Sequence, residues 1–456
     1  MTSGDDRSLA DGESSAPRLS AFDYSCVVAG GIIGVGIFFT PSVVAQKVEN
    51  ETQLLLAWVL GGLLAIIGGL VFAELAGRVP GHGGMFRYVH QAFGRVPAFL
   101  YGWANWLVIQ AGALGIVTVF AVEHAVEVVS PGTELKPVVL TSASVAIILA
   151  FTLLNVWGLR FSRVFQNVLV LAKLAAVMGL VMLAVFSGGA TERAPSESVA
   201  STGGGAFALL GAILPVMFSF GGWQQGPSVA GSAKSTQAVS KGIVAGILAV
   251  VLAYLAINLA IVELLGFDGA RSAGRTVGIE AAKAALEPVG LGDLGKRVFA
   301  FAVVLSAVGI MNTFLLAPPF VLHAMAKKGL FFRRAKSVSS RGTPVFAVWA
   351  QGGWAILLLV LTRQVNASLG ELVDGVVFVD WLFMGLCGVA LWRLRRRSVE
   401  TDGFRVPFGS VLVPLFVVAA VLVMVGAIWT RPEPSMIGGA IVVLGLPFAL
   451  VQRSDS

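Results

Sequence analysis

The run Gly30-Gly31-Ile32-Ile33-Gly34-Val35-Gly36 and its distant counterpart Phe218-Ser219-Phe220-Gly221-Gly222 interrupt two long apolar stretches near their middles, and their reading decides the fold. Glycine gives up more conformational freedom than any other residue on joining a helix, so a cluster of it unwinds a span where it falls. Crossing a membrane takes about 20 apolar residues. Working outward from the two breaks, runs of that length lie at 20–46, 54–77, 96–122, 137–158, 162–188, 206–231, 240–266, 297–326, 344–363, 370–393, 411–430 and 434–452. The expectation is an all-α polytopic membrane protein of 12 transmembrane helices with both termini on one side. About 187 residues separate the two breaks, the offset that also separates the starts of runs 1–5 and 6–10. Five spans per copy is an odd number, so the second copy inserts upside down. Residues 20–188 and 206–393 therefore read as a 5+5 inverted repeat with broken helices 1 and 6, and 411–452 as two added C-terminal helices. Paired, glycine-interrupted spans at matching places in two halves point to a transporter's midplane site.

Composition agrees with a lipid solvent. Of 456 residues, 56% are apolar, 12% are charged and 55 are glycine; soluble domains hold about 25% charged residues and about 7% glycine, which excludes an ordinary water-soluble enzyme. The net charge of +7 would suggest nucleic acid in a soluble protein, but topology accounts for it. With both termini inside, 21 of the 32 Lys and Arg residues face inward, including the clusters Lys327-Lys328 with Arg333-Arg334 and Arg393 with Arg395-Arg396-Arg397. That is the positive-inside pattern of the inner, or plasma, membrane, and no nucleic-acid partner is needed. Residues 1–19 lack the basic and apolar regions of a signal peptide and read as a short disordered cytosolic tail. Two cysteines in apolar runs and four scattered histidines make no metal or disulfide framework. Gly290-Leu291-Gly292-Asp293-Leu294-Gly295 matches the dinucleotide pattern G-x-G-x-x-G, but no strand precedes it, so it reads as a helix end and turn. Residues 276–287 read as a short amphipathic helix over the outer vestibule.

The physics of the breaks selects a ligand. Entering from inside, span 1 restarts beyond its break with free backbone N–H groups near Val35–Phe38, a positive dipole end suited to an anion. Entering from outside, the first half of span 6 ends in free carbonyls near Phe218, Ser219 and Phe220, suited to a cation. One molecule carrying a carboxylate and an ammonium close together satisfies both ends, so the site reads as one for an α-amino acid.

Several motifs in order make the chain recognisable: Gly31 through Phe38, Ala73-Glu74-Leu75, Pro80-Gly81-His82-Gly83-Gly84 with Tyr88, Phe165-Gln166-Asn167, Phe218 through Gln224, Ala324 through Gly329, and Asp380-Trp381-Leu382-Phe383. Together they resemble the amino acid–polyamine–organocation superfamily, particularly its bacterial L-type amino acid transporters, over nearly the whole chain. The resemblance implies a LeuT-like architecture and alternating access. It places the substrate carboxylate at Ile32, Gly34, Val35 and Gly36, the ammonium at Phe218, Ser219 and Gly221, and makes Phe218 the aromatic gate. The sequence departs from the family at Val35, commonly Ser; at Phe320, often Arg; and at Ala230–Lys234, where an acidic pair is usual.

Lys173 sits at the centre of span 5, about 16 Å from either end and too far to reach the surface. A mid-span ionisable residue defaults to function, and the resemblance implies that this ammonium replaces the cation of sodium-driven cousins and touches the span 1 break. Glu74, at what reads as a solvated end of span 2, and Asp380, deeper in span 10, are candidate gating or coupling residues, while Trp223 reads as packing beneath the site. The expected function is a sodium-independent exchanger or permease of neutral amino acids, with a proton-coupled transporter of cationic amino acids or polyamines as the alternative. No cofactor and no required ancillary subunit are expected. An intramembrane enzyme would need a convergent acid–base or metal set, and a channel would need rings of charge or a symmetric carbonyl filter; neither is found in the sequence.

Overall fold

The computed structural model describes residues 18–130, 133, 135–186, 206–364, 369–397, 403–430 and 432–451, which leaves the tail 1–17 outside the described residues. Helices follow one another along the chain as α1 (Ala21–Ile32), α2 (Thr40–Ala45), α3 (Glu51–Arg78), α4 (Met85–Phe93), α5 (Arg95–Ala104) and α6 (Ala111–Val129). Then come α7 (Pro137–Val156), α8 (Leu159–Phe186), α9 (Ala206–Ser219), α10 (Thr236–Ser272), α11 (Val277–Leu286) and α12 (Gly292–Leu316). The last six are α13 (Pro319–Lys327), α14 (Val345–Gln364), α15 (Leu369–Arg396), α16 (Gly409–Thr430), α17 (Pro432–Leu444) and α18 (Leu446–Val451). Ten helical stretches among the described residues are long and apolar enough to cross a membrane. The first and sixth sequence runs fall outside that set because each is interrupted: one is α1, a three-residue 3₁₀ turn Gly36–Phe38 and α2, the other is α9 followed by a 3₁₀ stretch Trp223–Ser232. The connection read as an amphipathic helix contains α11.

Local sequence explains the boundaries. Ser20 and Asp23 form a reciprocal capping box that starts α1, Asn50 caps α3 by accepting from the Gln53 amide, and Ser235 caps α10 by accepting from the Ala238 amide. A six-residue π-helical turn, Asn105–Gln110, joins α5 to α6 and turns Asn105 and Gln110 into the protein interior. A Cβ on Gly61, Gly62, Gly68 or Gly69 would run into Val216, Val251, Trp223 or Ile247 respectively, so small residues set the close approach that helix packing in lipid requires.

The N-terminal end of the bundle is tied shut by main chain. Leu19 and Ala233 form an isolated parallel bridge: the Leu19 amide donates to the Ser232 carbonyl (2.7 Å) and the Lys234 amide donates to the Leu19 carbonyl (2.9 Å). Beside it Asp23 accepts from Asn167 (2.7 Å) and pairs with Arg163 (3.4 Å), joining α1 to α8. At the opposite end Ser42 and Gln46 of the α2 segment both donate to the Arg271 carbonyl, each at 3.1 Å, and Phe38 meets Phe299 edge to face at 5.5 Å.

Candidate functional site

Three carbonyls at the end of α1 lose their helical partners and are recaptured by side chains from other helices. The Ile32 carbonyl accepts from the Gly34 amide (2.7 Å) and the Tyr254 hydroxyl (3.0 Å). The Ile33 carbonyl accepts from Lys173 Nζ (2.6 Å) and Ser306 Oγ (3.3 Å), and the Gly34 carbonyl accepts from the same hydroxyl (3.0 Å). Beyond the break the chain restarts with Phe38 and Phe39 donating to the Val35 and Gly36 carbonyls, both at 3.1 Å. The amides of Val35, Gly36 and Ile37 have no acceptor among the described residues. Three adjacent N–H groups at the start of a short 3₁₀ turn can thus donate to a hydrogen-bond acceptor.

The second break supplies acceptors less freely than the sequence suggests. The Phe218 carbonyl already accepts from the Gly221 amide (3.1 Å) and the Ser219 carbonyl from Tyr254 Oη (3.3 Å), whereas the Phe220 carbonyl holds no donor among the described residues. Each occupied carbonyl keeps a second lone pair, so all three can still receive an ammonium. Tyr254 thus bridges the two breaks through one hydroxyl.

The breaks cross at glycine. Gly222 has φ +115°, in the left-handed region, and a Cβ there would overlap the Gly31 carbonyl. Further along, a Cβ on Gly36 would stand 3.3 Å from Ser219 Oγ and 3.9 Å from the Phe218 ring. Ser219 itself donates to Thr40 Oγ1 at 2.8 Å. The structure thus brings Gly36 against Phe218 and Ser219 and joins Ile32 to Ser219 through Tyr254, with Gly221 bonded back to Phe218, whereas Gly34 faces Ile310 and Val35 makes no hydrogen bond to the second break among the described residues. Val35, Gly36, Gly221 and Gly222 are partly exposed and Phe218 is 42% exposed, while Trp223 through Ala230 are buried.

Lys173 is buried with its ammonium on the Ile33 carbonyl, so α8 anchors the span 1 break. Glu74 departs from the sequence expectation. In place of a solvated helix end it occupies a fully buried position, because the last turn of α15 and the 403–406 segment fold over it. It accepts from Arg78 Nε (2.8 Å), Arg395 Nε (2.9 Å) and the Val406 amide (2.7 Å). Asp380 lies apart from the breaks but is wired to one: Gln224 Nε2 donates to Asp380 Oδ2 (2.7 Å), and the Gly222 amide donates to Gln224 Oε1 (2.9 Å). Trp223 packs edge-on to Phe72 at 4.7 Å, beneath the site. Phe320 stacks on His82 with ring centroids 4.4 Å apart.

Tyr254, Ser306 and Thr40 bond residues of the breaks and were not singled out by the motif reading, and Gln224, inside the quoted Phe218–Gln224 motif, was given no role there. Their signal was available: a hydroxyl or amide placed mid-span in an apolar helix must find a partner inside the protein. Which partner it finds depends on helix packing that no local pattern encodes.

A multispanning helical bundle whose two interrupted helices meet at backbone polar groups has the build of a membrane transporter. Residues 19–450 match the amino acid permease family, and the chain belongs to it, within the amino acid–polyamine–organocation superfamily. It is 24% identical over 426 residues to the serine/threonine exchanger SteT of Bacillus subtilis, covering 92% of both chains. It is 26% identical to the b(0,+)-type amino acid transporter 1 of Mus musculus, over 87% of this chain and 81% of that one. Against the cystine/glutamate transporter of Homo sapiens it is 23% identical, over 92% of this chain and 82% of that one. The protein is an integral membrane amino acid transporter.

Proposed function

We propose that the protein is a sodium-independent exchanger or permease of neutral amino acids, holding the substrate zwitterion between the two breaks. The observation that carries this reading is the row of unbonded amides at Val35, Gly36 and Ile37 beside Ser219 and Phe218. The carboxylate takes these amides, the ammonium takes the carbonyls of Phe218, Ser219 and Phe220, and the Phe218 ring covers the pair. Gly36 lets the carboxylate reach the backbone. Lys173 places its amino group on the Ile33 carbonyl, where a transported cation would otherwise be needed. The reading includes twelve spans in a 5+5 inverted repeat, 20–188 and 206–393, followed by 411–452. It also includes alternating access in the plasma membrane with both termini cytoplasmic; the partial exposure of the breaks and the closed N-terminal end support a state open to the outside. Cys26 and Cys387 are the only cysteines and both are buried, which leaves no thiol for a disulfide-linked ancillary subunit.

Counterflow of labelled neutral amino acids in proteoliposomes tests this. Equal rates in sodium and in choline, and loss of substrate affinity in folded Gly36→Val, are expected. Sodium-dependent uptake would overturn the driving-ion assignment, and unchanged affinity in Gly36→Val would overturn the site.

A second reading, proton-coupled transport of cationic amino acids or polyamines, is favoured by the chain from Asp380 through Gln224 to the Gly222 amide. Among the described residues it is the one hydrogen-bonded path from a carboxyl group to the span 6 break. Substrate-driven alkalinisation outside the vesicles that vanishes in Asp380→Asn would select it.

A further inference from the structure

On the face that holds Arg18 and Leu19, a surface cavity of about 540 Å³ opens where α7 turns into α8 and the 337–343 loop lies against that turn. The turn is built for close approach: Gly158 has φ +136°, and a Cβ there would press on the Arg341 side chain. Backbone and side chain lock the two pieces together, the Leu159 amide donating to the Arg341 carbonyl (3.2 Å) and Arg341 Nη1 to the Trp157 carbonyl (3.3 Å). The cavity lining contains two guanidinium groups, Arg160 and Arg341, and no carboxylate. Neither arginine has an ion-pair partner among the described residues, although their neighbour Arg163 is paired with Asp23. The same lining carries exposed Trp157, Phe161 and Val164, and exposed Val168 and Leu171 continue down α8.

Depth identifies the occupant. α7 and α8 both belong to the stretches long enough to cross a membrane, so the turn between them lies at the membrane–water boundary, the level at which aromatic rings and phospholipid headgroups sit. A free anion would meet the arginines but leave Trp157, Phe161 and Val164 against water, and an apolar molecule would leave both guanidiniums uncompensated. A molecule with an anionic head at the arginines and an alkyl tail along α8 matches every group in the lining. We propose that this cavity is a binding site for an anionic phospholipid, whose phosphate is held between Arg160 and Arg341 and whose acyl chain runs over Phe161 and Val164. Bound there, the lipid clamps the N-terminal end of α8, the helix that presents Lys173, to the 337–343 loop. The inference rests on membrane residence alone and not on the substrate reading above.

The groove between α10 and the 403–404 segment, on the same face, provides an internal control, since its lining holds the single cation Lys241. The test is retention of phosphatidylglycerol by the purified protein, measured by native mass spectrometry and by the shift in Tm that the lipid causes in neutral detergent. Wild type should retain phosphatidylglycerol and rise in Tm more than with phosphatidylcholine of the same chain length, and inorganic phosphate alone should give no rise. Each arginine neutralised should weaken retention roughly fivefold, so Arg160→Gln and Arg160→Gln/Arg341→Gln lose it stepwise while Lys241→Gln keeps it. Arg160 makes no side-chain hydrogen bond or ion pair among the described residues, so its single variant folds and reads binding cleanly. Undiminished retention in Arg160→Gln, or equal shifts with the neutral lipid, would overturn the site; a rise with phosphate alone would replace it with an anion site.

Discussion

At the residue scale, His82 shows how a small change of environment becomes a pH response. It lies in the connection between α3 and α4, stacked on Phe320 of α13, with His323 edge-on at 6.0 Å and its Nδ1 buried without a hydrogen-bond partner. Burial of the ring, reinforced by His323, Lys327 and Arg87, holds its pKa down from 6.5 to about 3. A base held neutral in the folded state takes up a proton more readily once released, so the folded state loses stability as pH falls below about 6.5 and goes on losing it toward 3. Tm should therefore drop between pH 7.5 and 5, and His82→Gln should flatten that slope. An unchanged slope in His82→Gln would mean that other groups set the acid response.

At the element scale, the end of α3 is fixed by one carboxylate. Glu74, which also accepts from Arg78 on its own helix, ties α3 to Arg395 in the last turn of α15 and to the Val406 amide. Removing one partner of a buried pair leaves an uncompensated charge, which costs about 3–5 kcal/mol. Arg395 is 27% exposed and recovers water, so Glu74→Gln should destabilise by about 3 kcal/mol, the lower end of that range. Denaturant unfolding measures it; a loss below 1 kcal/mol would show that the 403–406 segment, not the charge, holds α15 against α3. Glu74 stood out in the sequence as a motif residue, but its role as a buried tie was not legible there. Glu74 and Arg395 are 321 residues apart, and a carboxylate near the end of an apolar run looks solvated until another chain segment covers it. The breaks were legible for the opposite reason. Glycine clusters act on their own few residues, so Gly30–Gly36 and Gly221-Gly222 announce their unwinding locally. What those residues touch, such as Tyr254 and Ser306, depends on packing and was not legible. Lys173 lies between the two cases, since its mid-span position marks it as consequential but only the packed helices reveal the Ile33 carbonyl as its partner.

At the scale of the whole molecule, a ligand that bonds both breaks joins α2 to α9 and should stabilise the fold by mass action, by about 2.7 kcal/mol at a hundredfold excess over Kd. Among the amino acids screened by thermal shift, the transported ones should raise Tm, and analogues lacking either the carboxylate or the ammonium should not. A methyl ester that stabilises as well as its parent amino acid would show that the Val35–Ile37 amides are not the anion site. The clasp between Leu19 and Ser232–Lys234 bears on what such a ligand must accomplish. Its bonds are between peptide groups, which carry no residue identity, so drift in the side chains around them leaves the lock unchanged. In the alternating access proposed above, opening of this end would let water take up every donor and acceptor released, at a net loss of only about 0.5–1.5 kcal/mol per bond. A latch of that kind is strong enough to keep a leak closed and weak enough that the modest binding energy of a small metabolite can tip it.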